Sequence, residues 1–388
     1  MDNINNEKKK VAIVIANSIR ALDDFGNRPE KEARFLVEKG FGVKVFILQN
    51  KVFGKETIEN QINGIDAVHF VGHSEKEREK AKATGRLGKN RLYYFGLGFR
   101  FIFWLRKQLR KERFDYIQCH NLQAMLAGYL AKEKGTKLIF VVRENYVGKG
   151  NKPLITRVFL KVLTDFLLWA AYRVEYVGPA QYEGWSEKIK AKAVYIPNYP
   201  ERHYFPDTEK TESDIIRINY VGNPRDKVSL SMLLEACKDV PGVRAAIYGR
   251  FNNEALGKEL EEKHPEAYFY GEYRHKDSGW IYSQTDILYV SGNPRVLNFF
   301  HARAIKLYEA IITKTPIIMP IEKDAYQLIK ENNFGWGYSF YEESGLKDLI
   351  RHISENRNEI MEKEKSIEAR QYDFTWESIV GELEKVFV

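Results

Sequence analysis

Short, nearly all-apolar runs recur along the chain, separated by longer stretches of mixed polarity. Val11–Ala16, Val43–Leu48, Ala67–Val71, Phe114–Cys119, Leu138–Val142, Arg173–Val177 and Ala193–Ile196 fall in the first half. Ile216–Val221, Val243–Tyr248, Tyr268–Tyr270, Asp286–Val290 and Pro316–Met319 fall in the second. Apolar runs without alternation mark strands covered on both faces, as in a parallel sheet. Helices are expected between them. Pro29–Lys39 has proline near its start and Gly40 beyond its end. Others are expected up to Asp239, over Ala255–Lys263 and near Tyr326–Glu331. In Leu154–Tyr172, Arg157, Lys161 and Asp165 form a single i,i+4 stripe and nearly everything else is apolar, which predicts a mostly buried helix. Pro197-Asn-Tyr-Pro200 and the polar residues 201–214 break the pattern and read as a linker. Two β/α halves in tandem predict two Rossmann-like domains.

The length of 388 residues suits two domains, and 44% hydrophobic with 29% charged residues fits a globular chain. Cys119 and Cys237 match no metal spacing, so a reduced, cytosolic protein is the simplest reading. Met1–Lys10 is polar and lysine-rich, without a signal-peptide core. Charge divides the halves. Residues 1–200 hold 36 Lys+Arg and 21 Asp+Glu, a net of +15, while residues 201–388 hold 25 and 32, a net of −7. A basic half implies an anionic partner. Residues 76–113 hold 13 Lys+Arg against 3 Asp+Glu, and within them Leu92–Leu105 is rich in Tyr, Phe and Trp. That segment is too short and too charged to span a bilayer. It fits a helix lying in the membrane interface, or a core helix with a solvated end. No nucleic-acid-binding motif accompanies the charge.

Ligands of such sheets sit beyond the carboxyl ends of the strands. The first β-loop-α unit lacks a G-x-G-x-x-G, so no dinucleotide fingerprint is present. Its polar loop 17–28 is a candidate wall of a site. His120-Asn121 and Arg143-Glu144-Asn145 also fall at strand ends, as does Gly222-Asn223-Pro224-Arg225-Asp226-Lys227. The stretch from His301 to Met319 reads as a helix opened by a charged residue, with Lys306 and Glu309 on one face, then a strand. A helix N-terminus attracts anions, so this pair suits a ligand with a diphosphate and sugar hydroxyls. The same spacing also fits an amphipathic helix with ordinary surface charges.

Several of these pieces carry a resemblance. Tyr220-Val-Gly222, Ile247-Tyr-Gly249, Tyr270-Gly271, Asp286 before an apolar strand, and Lys306-Leu-Tyr-Glu309-Ala followed by Thr315-Pro316-Ile-Ile resemble the donor domain of GT-B glycosyltransferases of the retaining family 4, or glycosyl transferases group 1. The first half matches more weakly, through VAIVIAN at its start, Phe114-Asp-Tyr-Ile-Gln-Cys-His120-Asn121 and Ile196-Pro-Asn198-Tyr-Pro200. Phe374-Thr-Trp376-Glu377 resembles the family's closing helix.

The resemblance implies an α/β fold of two Rossmann-like domains facing across a cleft. Residues 1–200 would bind acceptor, 201–371 the nucleotide-sugar, and 372–388 would form a closing helix on the first domain. It implies transfer of a sugar from a nucleotide-sugar, with retention and no essential metal or other cofactor. Glu309 would hold the ribose hydroxyls. Arg225, Lys227 and Lys306 would neutralise the diphosphate. Gly222, Asn223, Gly249, Arg250 and Tyr273 would line the nucleotide, and His120 would meet the transferred sugar. Asn17, Arg143 and Glu144 would face the acceptor. His301 stands where many relatives carry glutamate, and Arg143-Glu144 replaces a usual histidine. A glycan or lipid-linked acceptor and peripheral binding to the inner face of an anionic membrane are the expected partners. A non-catalytic partner subunit and a nucleotide-sugar epimerase of the same fold are the competing functions.

Overall fold

The computed structural model describes residues 8–18, 27–49, 56–74, 79, 91–147, 153–206, 209–274, 277–293, 301 and 303–388. The chain forms two compact units, one of Met1–Ile196 with Glu382–Val388 and the other of Pro197–Gly381.

The first unit is built on a sheet whose strands are β1 (Lys10–Ser18), β2 (Gly42–Gln49), β3 (Thr57–Ile62), β4 (Ile65–Val71), β5 (Tyr116–Cys119), β6 (Lys137–Val142), β7 (Arg173–Tyr176) and β8 (Ala193–Tyr195). Among the described residues their order is β3-β4-β2-β1-β5-β6-β7-β8, parallel except where β3 pairs antiparallel with β4. Val11 to Val14 are fully buried, as expected of a central strand covered on both faces. β3 has no counterpart in the sequence reading. Its TIENQI is polar and its exposure alternates, because it is an edge strand.

One helix of this unit follows the core alternative given for it, and another reverses its expectation. The aromatic segment folds as the helix Arg91–Leu109, and Leu97, Phe101, Leu105 and Leu109 are buried at i,i+4 spacing. Trp104 donates to Thr57 Oγ1 at 2.9 Å. This is a core helix, although Phe99 and Phe103 point outward. The helix Leu154–Ala170 reverses its prediction, since of its residues only Leu167 and Leu168 are buried. A helix apolar nearly all round fits a core, but here a single side meets one.

The second unit holds β9 (Ile216–Val221), β10 (Val243–Tyr248), β11 (Tyr268–Gly271), β12 (Ile287–Tyr289), β13 (Ile317–Pro320) and β14 (Gly335–Tyr338). Among the described residues their order is β11-β10-β9-β12-β13-β14, all parallel. Counted from β9 this is the doubly wound order, reversing between β9 and β12. Asp286 is structural at this reversal: it accepts from the Arg217 backbone at 2.8 Å and from its guanidinium at 2.7 and 3.0 Å. β14 was not foreseen because Gly-Trp-Gly-Tyr lacks a strand's composition. Its glycines answer to packing, since a Cβ on Gly335 would stand 1.9 Å from the Ile317 carbonyl oxygen.

The closing segment is not one helix. It comprises a 3-10 turn over Gln371–Phe374, a short helix over Trp376–Ile379 and a 3-10 stretch over Val380–Val386. Its last residues belong to the first unit, where Tyr116 donates to the Phe387 carbonyl at 2.5 Å and the Phe387 ring packs on Tyr116 and Phe41.

Candidate active site

In the second unit, the carboxyl ends of β9 and β10 meet through glycine. Gly222 and Gly249 follow the two strands at φ 139° and 150°, where other residues are strained. A Cβ on Gly249 would lie 1.6 Å from the Gly222 carbonyl oxygen, so two stretches of bare backbone touch there. A Cβ on Gly222 would come within 3.9 Å of Lys306 Cγ, which brings this floor against the helix Ile305–Ile312. That helix has no side-chain cap at its N-terminus. It begins at Ile305, so His301 precedes it rather than opening it.

Lys306 and Glu309 share one face, as i,i+3 spacing requires, and Lys306 Nζ lies 2.7 Å from Glu309 Oε2. Glu309 is completely buried. Its other oxygen, Oε1, has no hydrogen bond of good geometry, and the neighbouring Tyr282 hydroxyl, close to the carboxylate, donates to the Lys306 carbonyl at 3.1 Å. Lys306 Nζ also stands 5.2 Å from the centre of the Tyr273 ring. Burial works to lower the Lys306 pKa, but Glu309 and Tyr273 outweigh it and the ammonium is held charged.

The remaining donor candidates form a looser rim. Arg225, Lys227, Arg250 and Asn223 are exposed. Lys227 opens the helix Lys227–Lys238 and is paired with Glu259, and Arg250 lies 3.5 Å from Glu272. The Asn223 carbonyl accepts from the Tyr220 hydroxyl at 2.9 Å. His301 Nδ1 is 2.5 Å from Asp324 Oδ2. Lys323, next in the same turn, is 4% exposed, and burial pushes its ammonium down to about 8 against the pull of Asp324 and Asp226. Sequence reading passed over it, because a lysine following a strand looks like a surface residue.

The first unit carries a separate polar cluster. Arg28, Lys31 and Glu32 lie on the helix Asn27–Glu38, which starts within the loop expected over 17–28. The rest of that loop and the Asn17 side chain lie outside the described residues. All three charged side chains are at most 1% exposed. Arg28 pairs with Glu32, donates to Glu175 Oε2 at 3.1 Å, and donates to the Ile196 carbonyl at 2.7 Å. Gln118 donates to Glu32 at 3.0 Å and to Glu175 at 2.6 Å. His120 ends β5 as expected, but its ring is buried and Nε2 lies 3.2 Å from Glu32 Oε2.

Environment drives the two glutamates apart. Burial raises the Glu32 carboxyl, yet Arg28, His120 and Lys31 overcome this and bring it to about 2. Burial and the charge on Glu32 push Glu175 up to about 8, with Arg28 and Gln118 offsetting only part. His120 is lowered, first by burial and then by Arg143 and Arg28, against the pull of Glu32. Arg143 and Glu144 are themselves exposed. Glu175 was legible in principle, since a carboxylate within a central strand of the run Arg173–Tyr176 needs a buried partner. Among the described residues no group of three or more His, Cys, Asp or Glu could hold a metal ion.

Residues 33–198 match the family model described as a glycosyl transferase 4-like domain. The whole chain superposes on solved structures at low identity. Sucrose-phosphate synthase from Thermosynechococcus elongatus matches with a TM-score of 0.76 and 15% identity, over 98% of each chain. HepE of Anabaena, solved in complex with UDP, matches with 0.66 and 12%, over 97% of this chain and 99% of that one. WaaG, a glycosyltransferase involved in lipopolysaccharide biosynthesis, gives the same values. The chain resembles the GT-B glycosyltransferases of family 4. Its two parallel-dominant sheets are those of the GT-B fold, and the matches support a glycosyltransferase of the GT-B type. No curated protein matches the sequence.

Proposed function

We propose that the chain transfers a sugar from a nucleotide-sugar to a cell-surface glycan or a lipid-linked precursor, with retention at the anomeric carbon and no essential metal, on the cytoplasmic face of a membrane. The observation that carries this reading is Glu309: wholly buried, salt-bridged through one oxygen and accepting no hydrogen bond of good geometry at the other. A ribose diol supplies two donors to such a carboxylate. Lys306 and the uncapped helix start would face the diphosphate, whose negative charge grows as the bond from the anomeric carbon to the leaving oxygen breaks. The Gly222–Gly249 floor would let backbone approach the nucleotide. Arg225, Lys227, Asn223, Arg250 and Tyr273 would complete the donor side, and His301 with Asp324 would take the sugar hydroxyls that glutamate meets in relatives. With Nε2–H turned to Glu32, His120 would keep a lone pair on Nδ1 for a sugar hydroxyl. Asn17, Arg143 and Glu144 remain the acceptor-side candidates. UDP in HepE makes uridine nucleotides the first donors to try.

Calorimetry with nucleoside diphosphates, followed by turnover across a panel of nucleotide-sugars, tests the reading. Binding that Glu309→Gln abolishes supports it. A chain that binds no nucleotide is a non-catalytic partner, and turnover without acceptor that inverts a sugar centre marks an epimerase.

A further inference from the structure

The helix Leu154–Ala170 presents an apolar face to solvent. Leu154, Ile155, Val158, Phe159, Val162 and Trp169 are all exposed, Ile155 by 85%. At 3.6 residues per turn they fall within an arc of roughly 140°. The opposite side holds Leu167 and Leu168, buried, with Leu160 and Leu163 packed on the core. Arg157, Lys161 and Asp165 run along one border of the exposed arc, Lys161 paired with Asp165 at 2.7 Å. Beside the C-terminal half lies an open cavity of about 380 Å³, lined by Trp169, Trp185, Lys161, Lys188 and Lys192 among others. No helix among the described residues is long and apolar enough to cross a membrane.

We propose that this face docks the protein on an anionic lipid bilayer, with the helix lying in the interface plane. The helix spans about 25 Å, so its apolar arc is larger than a soluble surface ordinarily leaves bare. The apolar side chains reach the acyl region, while Trp169, Trp185 and the lysines lie at headgroup level. Charge selects the occupant. Arg157, Lys161, Lys188 and Lys192 outnumber Asp165 around the face, and residues 1–200 are basic as a whole. A second copy would set these cations against themselves, whereas anionic headgroups neutralise them. The inference rests on the membrane part of the proposed function and not on its donor chemistry. It moves the contact from the aromatic segment 92–105 to the helix 154–170.

Flotation with phosphatidylcholine vesicles, with and without phosphatidylglycerol, tests it, using the full chain, the double variant Val158→Asp with Phe159→Asp, and Ile155→Asp as a single change at the most exposed position. The expected result is flotation with the anionic vesicles that salt weakens, and at least about a tenfold lower bound fraction for the double variant. Melting temperatures should stay level, since these side chains are exposed. Flotation of both variants as strong as that of the unaltered chain overturns the proposal, as does an unaltered chain that floats with neither vesicle. A dimer in sedimentation that the variants convert to monomer also overturns it, because a second copy then covers the face. Nucleotide-sugar hydrolysis without lipid is read in parallel. Flotation without hydrolysis sinks the donor reading and leaves this one standing.

Discussion

Two buried glutamates, one in each unit, are held in opposite ways. Glu32 is met at both oxygens, by Arg28 on one and by Gln118 and His120 on the other. Glu309 has Lys306 on one oxygen and no hydrogen bond of good geometry on the other. Each Glu32 oxygen faces a basic side chain of its own unit, so its energy goes into the fold. The arrangement at Glu309 is incomplete, and an incomplete buried carboxylate next to bare glycine backbone is a place for a ligand. Partner saturation, more than burial, separates a structural charge from a binding one.

The largest effect should come from Glu32→Gln. It leaves Arg28 buried with its main counter-charge gone, and denaturant unfolding should show a loss of about 3 kcal/mol. Glu309→Gln should instead cost function: about a hundredfold in kcat/KM, with little change in unfolding midpoint. Equal destabilisation by both substitutions, with nucleotide affinity untouched, would erase the contrast.

Glu175→Gln sharpens it through pH. Glu175 has its pKa raised, so the folded state holds its proton more tightly than the unfolded chain does. Its contribution is therefore full below the ordinary carboxylate range and lost as pH rises toward about 8. The variant lacks this loss. It should gain at least about 1 kcal/mol relative to the unaltered chain between pH 5 and pH 9 in paired melts. Glu32 runs the other way, its contribution lost as pH falls toward about 2. The smallest effect belongs to Lys227→Ala, an exposed lysine paired with exposed Glu259. Its removal should leave stability within about 0.5 kcal/mol and weaken diphosphate binding several-fold, as titration calorimetry would report.

The central strands and the Lys306–Glu309 pair were legible because periodicity and i,i+3 spacing are local properties. The units divide after Ile196. What was hidden depends on distant partners. β3 is polar because it is an edge, and β14 is glycine-rich because neighbouring backbone and Tyr326 crowd it. The helix 154–170 looked like a core element because nothing in its own sequence says which of its apolar sides meets the sheet. Arg28 and Glu32 drew no reading in the sequence, because only the buried Glu175 strand opposite makes them a core network.

Glu382–Val388 lie in the first unit, although the whole of the second unit precedes them in the chain. During synthesis the groove of Phe41 and Tyr116 must wait for Phe387 while residues 197–381 are made. At roughly 5–20 residues per second that interval is on the order of ten seconds or more. Throughout it the growing chain carries an uncovered aromatic notch at the base of its first sheet, which Phe387 closes when it arrives.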